Sequence, residues 1–195
     1  MKLFGPPLKE VWGELAEEIS GEFVPGAFMK TAAVSINHRN FRILLDTYTV
    51  NTGKSSVTYT RMRTPFKREN DIEFKLSRKN IFSGIGSLFG NPVVSSYDYD
   101  FDDQYVIKGN DESVIREIFQ NEELKECIRF QKGLVLRLYP YKPKKSLVSS
   151  ELYFQMTGVL KDKEKLKNLF NMFKVLLDEL IKNGVASEEE PDVVL

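Results

Sequence analysis

Four aspartates, Asp98, Asp100, Asp102 and Asp103, crowd into the acidic, aromatic run from Tyr97 to Asp103. Closely spaced carboxylates are the raw material of a calcium loop, which takes oxygens from alternating positions. This run lacks the central glycine and closing glutamate of that pattern. Aspartate alternating with tyrosine and phenylalanine is equally how a strand with one wet face is written. Nucleophilic chemistry fares no better. The chain has one cysteine, Cys127, and one histidine, His38. Cys127 falls at helical spacing with Leu124 and Ile128, which predicts a buried thiol. His38 lies in the turn-like stretch 37–40, which predicts a solvated imidazole. One cysteine excludes an internal disulfide and a multi-cysteine metal site, and one histidine excludes a His-rich cluster. Ser83 in Ser83-Gly84-Ile85-Gly86 does not form the nucleophile elbow of hydrolases. Gly84, Gly86 and Gly90 miss the dinucleotide spacing by one residue and open no strand–turn–helix unit. No complete catalytic constellation and no cofactor motif is present, so the assignment is no cofactor and no metal.

Two surfaces remain that could bind something. Arg42, Asp46, Tyr59, Arg61 and Arg63 gather on one face of a pair of strands and could hold a carboxylate or phosphate, because guanidinium forks match both. Ile81, Phe82, Ile85, Leu88 and Phe89 form an apolar loop loosened by glycines. That loop is either a lid on the core or a contact surface for a membrane or partner.

The elements that must carry these residues follow from periodicity. Leu8, Val11, Trp12, Leu15 and Ile19 recur at helical spacing over 7–19, with Pro7 suiting the start and Gly21 the stop. This helix is expected to dock on the sheet; the alternative is a partner-binding helix, since Trp12 is a good anchor type. Val34 and Ile36 mark a strand. Phe41, Ile43 and Leu45 then alternate with Arg42 and Asp46, with Leu44 an exception, and residues 55–66 return rich in Thr, Val and Tyr. A four-residue connection pairing Val50 with Ser55 sets Phe41, Ile43 and Leu45 beside Thr58, Thr60 and Met62, and collects the charged side chains opposite. Ile72, Phe74 and Leu76 alternate with polar neighbours. After the acidic run comes a short strand at 104–108, broken by Gly109. Asp111 and Asn121 are placed to cap two short helices. Leu134, Leu136 and Leu138 and then residues 150–157 read as strands, separated by a basic loop. Leu166, Leu169, Phe170, Phe173, Leu177, Leu180 and Ile181 make the longest amphipathic helix, with Asp162 to cap it and Gly184 to stop it.

This order predicts one α+β domain over 1–195. A curved, mainly antiparallel sheet packs on a long C-terminal helix, with an N-terminal helix and two short helices inserted between strands. The ends, 1–6 and 186–195, are expected to be flexible. The charge balance is even, 28 basic against 28 acidic residues, with a pI near 6.6. General nucleic-acid binding needs a basic excess and is not expected. The opening residues lack a signal-peptide core and no apolar run is long enough to span a membrane, so the expected location is the cytoplasm.

The stretches LLDTYTVNTGKSSVTYTRMRTPF (44–66), RKNIFSGIGSLFG (78–90), YDFDDQYVIKGNDESVIREIF (99–119) and ELYFQMTGVLKD (151–162) resemble a family of uncharacterised prokaryotic single-domain proteins. The FDDQYVIKGND run is its most specific part. The resemblance implies a domain of unknown function and carries over no site. The function expected from the residues is a non-enzymatic cytoplasmic binding or scaffold domain. Its partner would be a protein or small ligand, and homo-oligomers are possible. The alternatives are a carrier of a small apolar ligand between sheet and helix, and a peripheral membrane-contacting protein acting through 81–89.

Overall fold

A computed structural model describes residues 6–27, 31–79, 90–131, 133–141 and 149–191. The chain runs through α1 (Leu8–Glu18), β1 (Glu22–Val24), β2 (Ala33–His38), β3 (Phe41–Asn51), β4 (Ser56–Lys67), β5 (Phe74–Arg78) and β6 (Val93–Val94). It continues as α2 (Tyr99–Gln104), β7 (Tyr105–Gly109), α3 (Glu112–Phe119), α4 (Glu122–Phe130), β8 (Val135–Pro140), β9 (Ser149–Thr157) and α5 (Lys163–Lys182). Among the described residues, nine strands form one sheet in the order β1-β2-β3-β4-β9-β8-β5-β7-β6. Every neighbouring pair is antiparallel. The sheet is open, with β1 and β6 at its edges. Both edge strands are very short, which limits the unpaired backbone they offer. The class is α+β with a long C-terminal helix, as the pattern of elements requires.

The core follows from strand alternation. Phe23, Val34, Leu45, Met62, Phe154, Leu136, Leu76, Ile107 and Val94 stand opposite one another in register across all nine strands. From Val34 to Val94 none is more than 2% exposed. The apolar stripe of α5 joins the same cluster through Leu166, Leu169, Phe170, Phe173, Leu176, Leu177 and Leu180. Asp162 caps α5 by accepting from the Lys165 N–H at 3.1 Å, and Gly184 ends it at φ 65°. Asp111 and Asn121 cap α3 and α4 in the same way.

Several expectations are corrected. The β3–β4 register pairs Val50 with Val57 rather than Ser55, so the connection is 52–55. The shift is two residues, an even number, so the apolar and charged sets keep their faces. The acidic run is a helix rather than a wet-faced strand. Asp98 accepts from the Phe101 N–H at 3.0 Å and caps α2, while Phe101 is fully buried against Tyr105. By contrast, Trp12 is fully buried and donates to the Leu160 carbonyl at 3.0 Å, so α1 is docked as expected and the partner-anchor alternative falls. The end of α1 takes its left-handed residue at Ser20, not Gly21. Gly21 is needed for another reason: a Cβ there would lie 2.8 Å from the Ser35 carbonyl oxygen. His38 ends β2 with its Nε2 2.9 Å from Asp178 on α5, so the imidazole is docked rather than free in solvent. The segment after α5 makes contacts as far as residue 189. Val185 and Ala186 are buried, and the Ser187 N–H donates to the Lys67 carbonyl at 2.9 Å. Glu188 pairs with Arg39 and Glu189 with Lys67.

Candidate functional site

The helices bury one face of the sheet. The opposite face carries the alternate residues of each strand, and these are mostly polar, with Leu44, Val93, Val106 and Val135 among them. Asp46 on β3 stands directly across from Arg61 on β4, with Arg63 two residues further along. Asp46 Oδ1 accepts from Arg61 Nε at 2.5 Å, and Oδ2 accepts from Arg61 Nη2 at 2.9 Å and Arg63 Nη2 at 3.3 Å. This is a two-pronged guanidinium–carboxylate clamp with a second arginine attached. The Asp46 side chain is 6% exposed. Burial works against the Arg61 charge, but the bonds and charge of Asp46 outweigh it and hold the guanidinium above its ordinary value.

Aromatic side chains frame the clamp. Tyr48 and Tyr59 face each other across β3 and β4 with ring centroids 5.2 Å apart, and the Arg61 guanidinium sits 5.0 Å from the Tyr48 centroid. The Tyr48 hydroxyl donates to Gln155 Oε1 at 2.7 Å, and the Tyr153 hydroxyl lies 3.1 Å from the same oxygen. Burial, then the bond to Tyr48, pushes the Tyr153 phenol well up. On the adjoining strands the Tyr139 hydroxyl donates to Glu151 Oε2 at 2.5 Å. Glu151 is 5% exposed. Burial raises its carboxyl above the ordinary range, although Tyr139, Arg63 and Arg61 all pull the other way. Among the described residues, Arg63 Nε, Arg137 Nε, Ser77 Oγ and Glu151 Oε1 are buried without a hydrogen-bond partner.

Four of the five sequence-chosen residues, Asp46, Tyr59, Arg61 and Arg63, therefore meet on this face. Arg42 does not join them. It reaches Glu22 at 3.2 Å and Ser35 Oγ at 3.1 Å, on the rim of a separate cleft of about 330 Å³ beside Ser20 and Gly21. Glu151, Tyr153, Gln155, Tyr139, Arg137 and Lys75 belong to the face and were not anticipated. A signal for most of them exists in the alternation of residues 151–155 and 135–139, where Glu151, Tyr153, Gln155, Arg137 and Tyr139 occupy one parity and Leu152, Phe154, Leu136 and Leu138 the other.

The other candidates separate. Ile81, Phe82, Ile85, Leu88 and Phe89 lie outside the described residues. Asp98 binds Lys125 at 3.0 Å and Arg129 at 2.7 Å, tying α2 to α4, and its carboxyl is held down at about 2 by the Phe101 N–H and then by Lys125. Asp102 accepts from Ser95 Oγ and Ser96 Oγ, each at 2.7 Å. These aspartates thus serve as a cap and as loop ties. Cys127 is 4% exposed, its thiol raised by burial, with Asn171 Nδ2 at 3.5 Å. Its neighbours differ from those of His38, so the two form no dyad. Among the described residues, no helix is long and apolar enough to cross a membrane. No protein-family model, curated protein or solved structure matches the chain.

Proposed function

We propose that the chain is a non-enzymatic, cytoplasmic binding domain that holds an anionic ligand on the face of its sheet opposite α5. The observation that carries this is the set of buried, fixed polar groups there. Arg63 Nε and Arg137 Nε are buried donors with no hydrogen-bond partner among the described residues. Leaving such a donor unsatisfied costs roughly 1–3 kcal/mol, which a ligand oxygen would recover. The aromatic and arginine composition also suits recognition surfaces. The space between sheet and α5, by contrast, is filled by Phe170, Phe173, Leu176 and Leu177, each no more than 2% exposed. That packing favours the polar face over an apolar cavity as the ligand's place.

The test is a thermal-shift screen with small carboxylates, sulfates and phosphates. A ligand at about a hundred times its Kd adds about 2.7 kcal/mol, or about 5–10 °C in Tm for a domain of this size. The expected result is a responder whose shift disappears in Arg63→Gln and persists in Arg42→Gln. A screen with no responder, or one whose responders ignore Arg63→Gln, overturns the proposal. In the latter case, co-sedimentation with liposomes would move attention to residues 81–89.

A further inference from the structure

Arg42 stays outside the clamp and lines a cleft of about 330 Å³ at the β1 end of the sheet, together with Ser20, Gly21, Glu22, Ser35 and Asn37. The strand pairing explains the opening. β1 pairs with β2 only from Val24–Ala33 to Glu22–Ser35. The chain comes off α1 through Ser20 and Gly21 and does not run alongside residues 36–38. Among the described residues, this end of β2 therefore has a strand neighbour on the β3 side alone. Gly21 packs so closely here that a Cβ would lie 2.8 Å from the Ser35 carbonyl oxygen and 2.9 Å from Ile36 Cγ2. Ser20 is held at φ 54°, a left-handed conformation that glycine takes without strain. A serine there places a hydroxyl on the cleft at the cost of that strain. Polar groups remain to spare. Arg42 uses only Nη2, which reaches Glu22 Oε2 at 3.2 Å and Ser35 Oγ at 3.1 Å. Among the described residues, Arg42 Nε and Nη1, Glu22 Oε1 and the side chains of Ser20 and Asn37 make no hydrogen bond. These groups are accessible: the Arg42 side chain is 46% exposed and that of Glu22 70%. A single long contact between two exposed side chains is a weak bond that a ligand readily replaces.

We infer that this cleft is a second binding site, separate from the face at Arg63, and that it takes a small free α-amino acid. The charges decide the class. Arg42 and Glu22 set a cation and an anion 3.2 Å apart. A phosphate or dicarboxylate seated on Arg42 is repelled by Glu22, and a polyamine seated on Glu22 is repelled by Arg42. A zwitterion with its ammonium and carboxylate on one carbon answers both charges at once. Its carboxylate takes the Nη1–Nη2 end of the guanidinium, which forms two parallel hydrogen bonds once the single Glu22 contact opens. Its ammonium donates to the Glu22 carboxylate, while the second N–H of Nη2 keeps its bond to Ser35. The Ser20 hydroxyl and the Asn37 amide remain for a short polar side chain. The cleft lies at the lower end of the roughly 300–1,000 Å³ of ligand pockets, which suits a molecule of this size.

The test is calorimetric titration of the full chain with glycine, L-serine and L-asparagine, each beside its N-acetyl derivative, which lacks the ammonium, and its amide, which lacks the carboxylate. At least one of the three amino acids should bind, and at least about tenfold more tightly than either of its derivatives. Arg42→Gln and Glu22→Gln should each weaken that binding about tenfold, whereas Arg63→Gln should leave it unchanged. Ser20→Gly keeps the left-handed backbone and removes only the hydroxyl, so it should weaken binding by a smaller factor. Circular dichroism melts confirm that each variant is folded. An N-acetyl derivative that binds as tightly as its parent makes the cleft a plain carboxylate site and overturns the inference. An amide that does so makes it a cation site and overturns it equally. Absence of binding by all three amino acids, or binding that survives both Arg42→Gln and Glu22→Gln, removes the site. The anion face is read through Arg63 and this cleft through Arg42, so the failure of one leaves the other standing.

Discussion

Two rows of residues, one position apart in every strand, run the full width of the same sheet. One reads Phe23, Val34, Leu45, Met62, Phe154, Leu136, Leu76, Ile107 and Val94; the next reads Glu22, Ser35, Leu44, Arg63, Tyr153, Arg137, Lys75, Lys108 and Val93. The backbone is shared, so the difference between them is purely one of side chains. The first row is stabilised by burial, at roughly 1.5–3 kcal/mol for each large apolar side chain, and needs no particular partner. The second is mostly polar and includes the buried Lys75, whose removal from water is a cost that burial by itself does not return. Stability alone explains the apolar row.

The contrast predicts unequal responses to substitution. The largest is expected at the apolar face. Phe173→Ala removes a fully buried ring from the centre of the α5 stripe and should cost about 3–5 kcal/mol in denaturant melts. A loss below about 1 kcal/mol would mean that the stripe does not hold the sheet. On the polar face, Asp46→Ala strands Arg61 and Arg63 and should cost about 1.5–3 kcal/mol, the range for hydrogen bonds to charged groups. Replacing Asp46 and Arg61 together by Leu and Met should recover most of that loss, since apolar replacements of buried ion pairs are often neutral. A double variant as unstable as the single one would show that the clamp is a stabilising feature after all.

The smallest effect concerns pH. The folded protein binds the Glu151 proton more tightly than the unfolded chain does, because its carboxyl is raised from the ordinary 4.5. Wild-type stability should therefore fall as pH rises above that value, until the folded-state carboxyl has ionised. Glu151→Gln removes this dependence, so the variant should gain on the wild type with rising pH. Parallel pH-dependent curves for the two proteins would mean that Glu151 ionises normally in the fold.

Much of the apolar row was legible in the sequence. Period-two alternation at 41–45 and 72–76, and the helical stripe at 166–181, state which side chains go inward because backbone geometry alone sets those periods. Caps at Asp111, Asn121 and Asp162 were legible for the same local reason. The acidic run was misread because its helix depends on Asp98 reaching the Phe101 N–H and on Phe101 packing against Tyr105, and no period announces six residues. Half of the polar site was visible as Asp46, Tyr59, Arg61 and Arg63, since β3 and β4 are joined by a short connection. The other half arrives on β9, β8 and β5.

By itself, then, the sequence determined the α+β class, the inward set of each strand, the long helix and the parity of the β3–β4 pairing. Those depend on interactions between residues close in the chain. Only the tertiary structure decided that β9 lies beside β4 and β8 beside β5. That order sets Arg63, Tyr153, Arg137, Lys75 and Lys108 in one line and holds Ala186 against Arg68. Strand order between distant segments is chosen by the burial of the whole apolar face at once. The charges on the opposite face take whatever neighbours that choice assigns them.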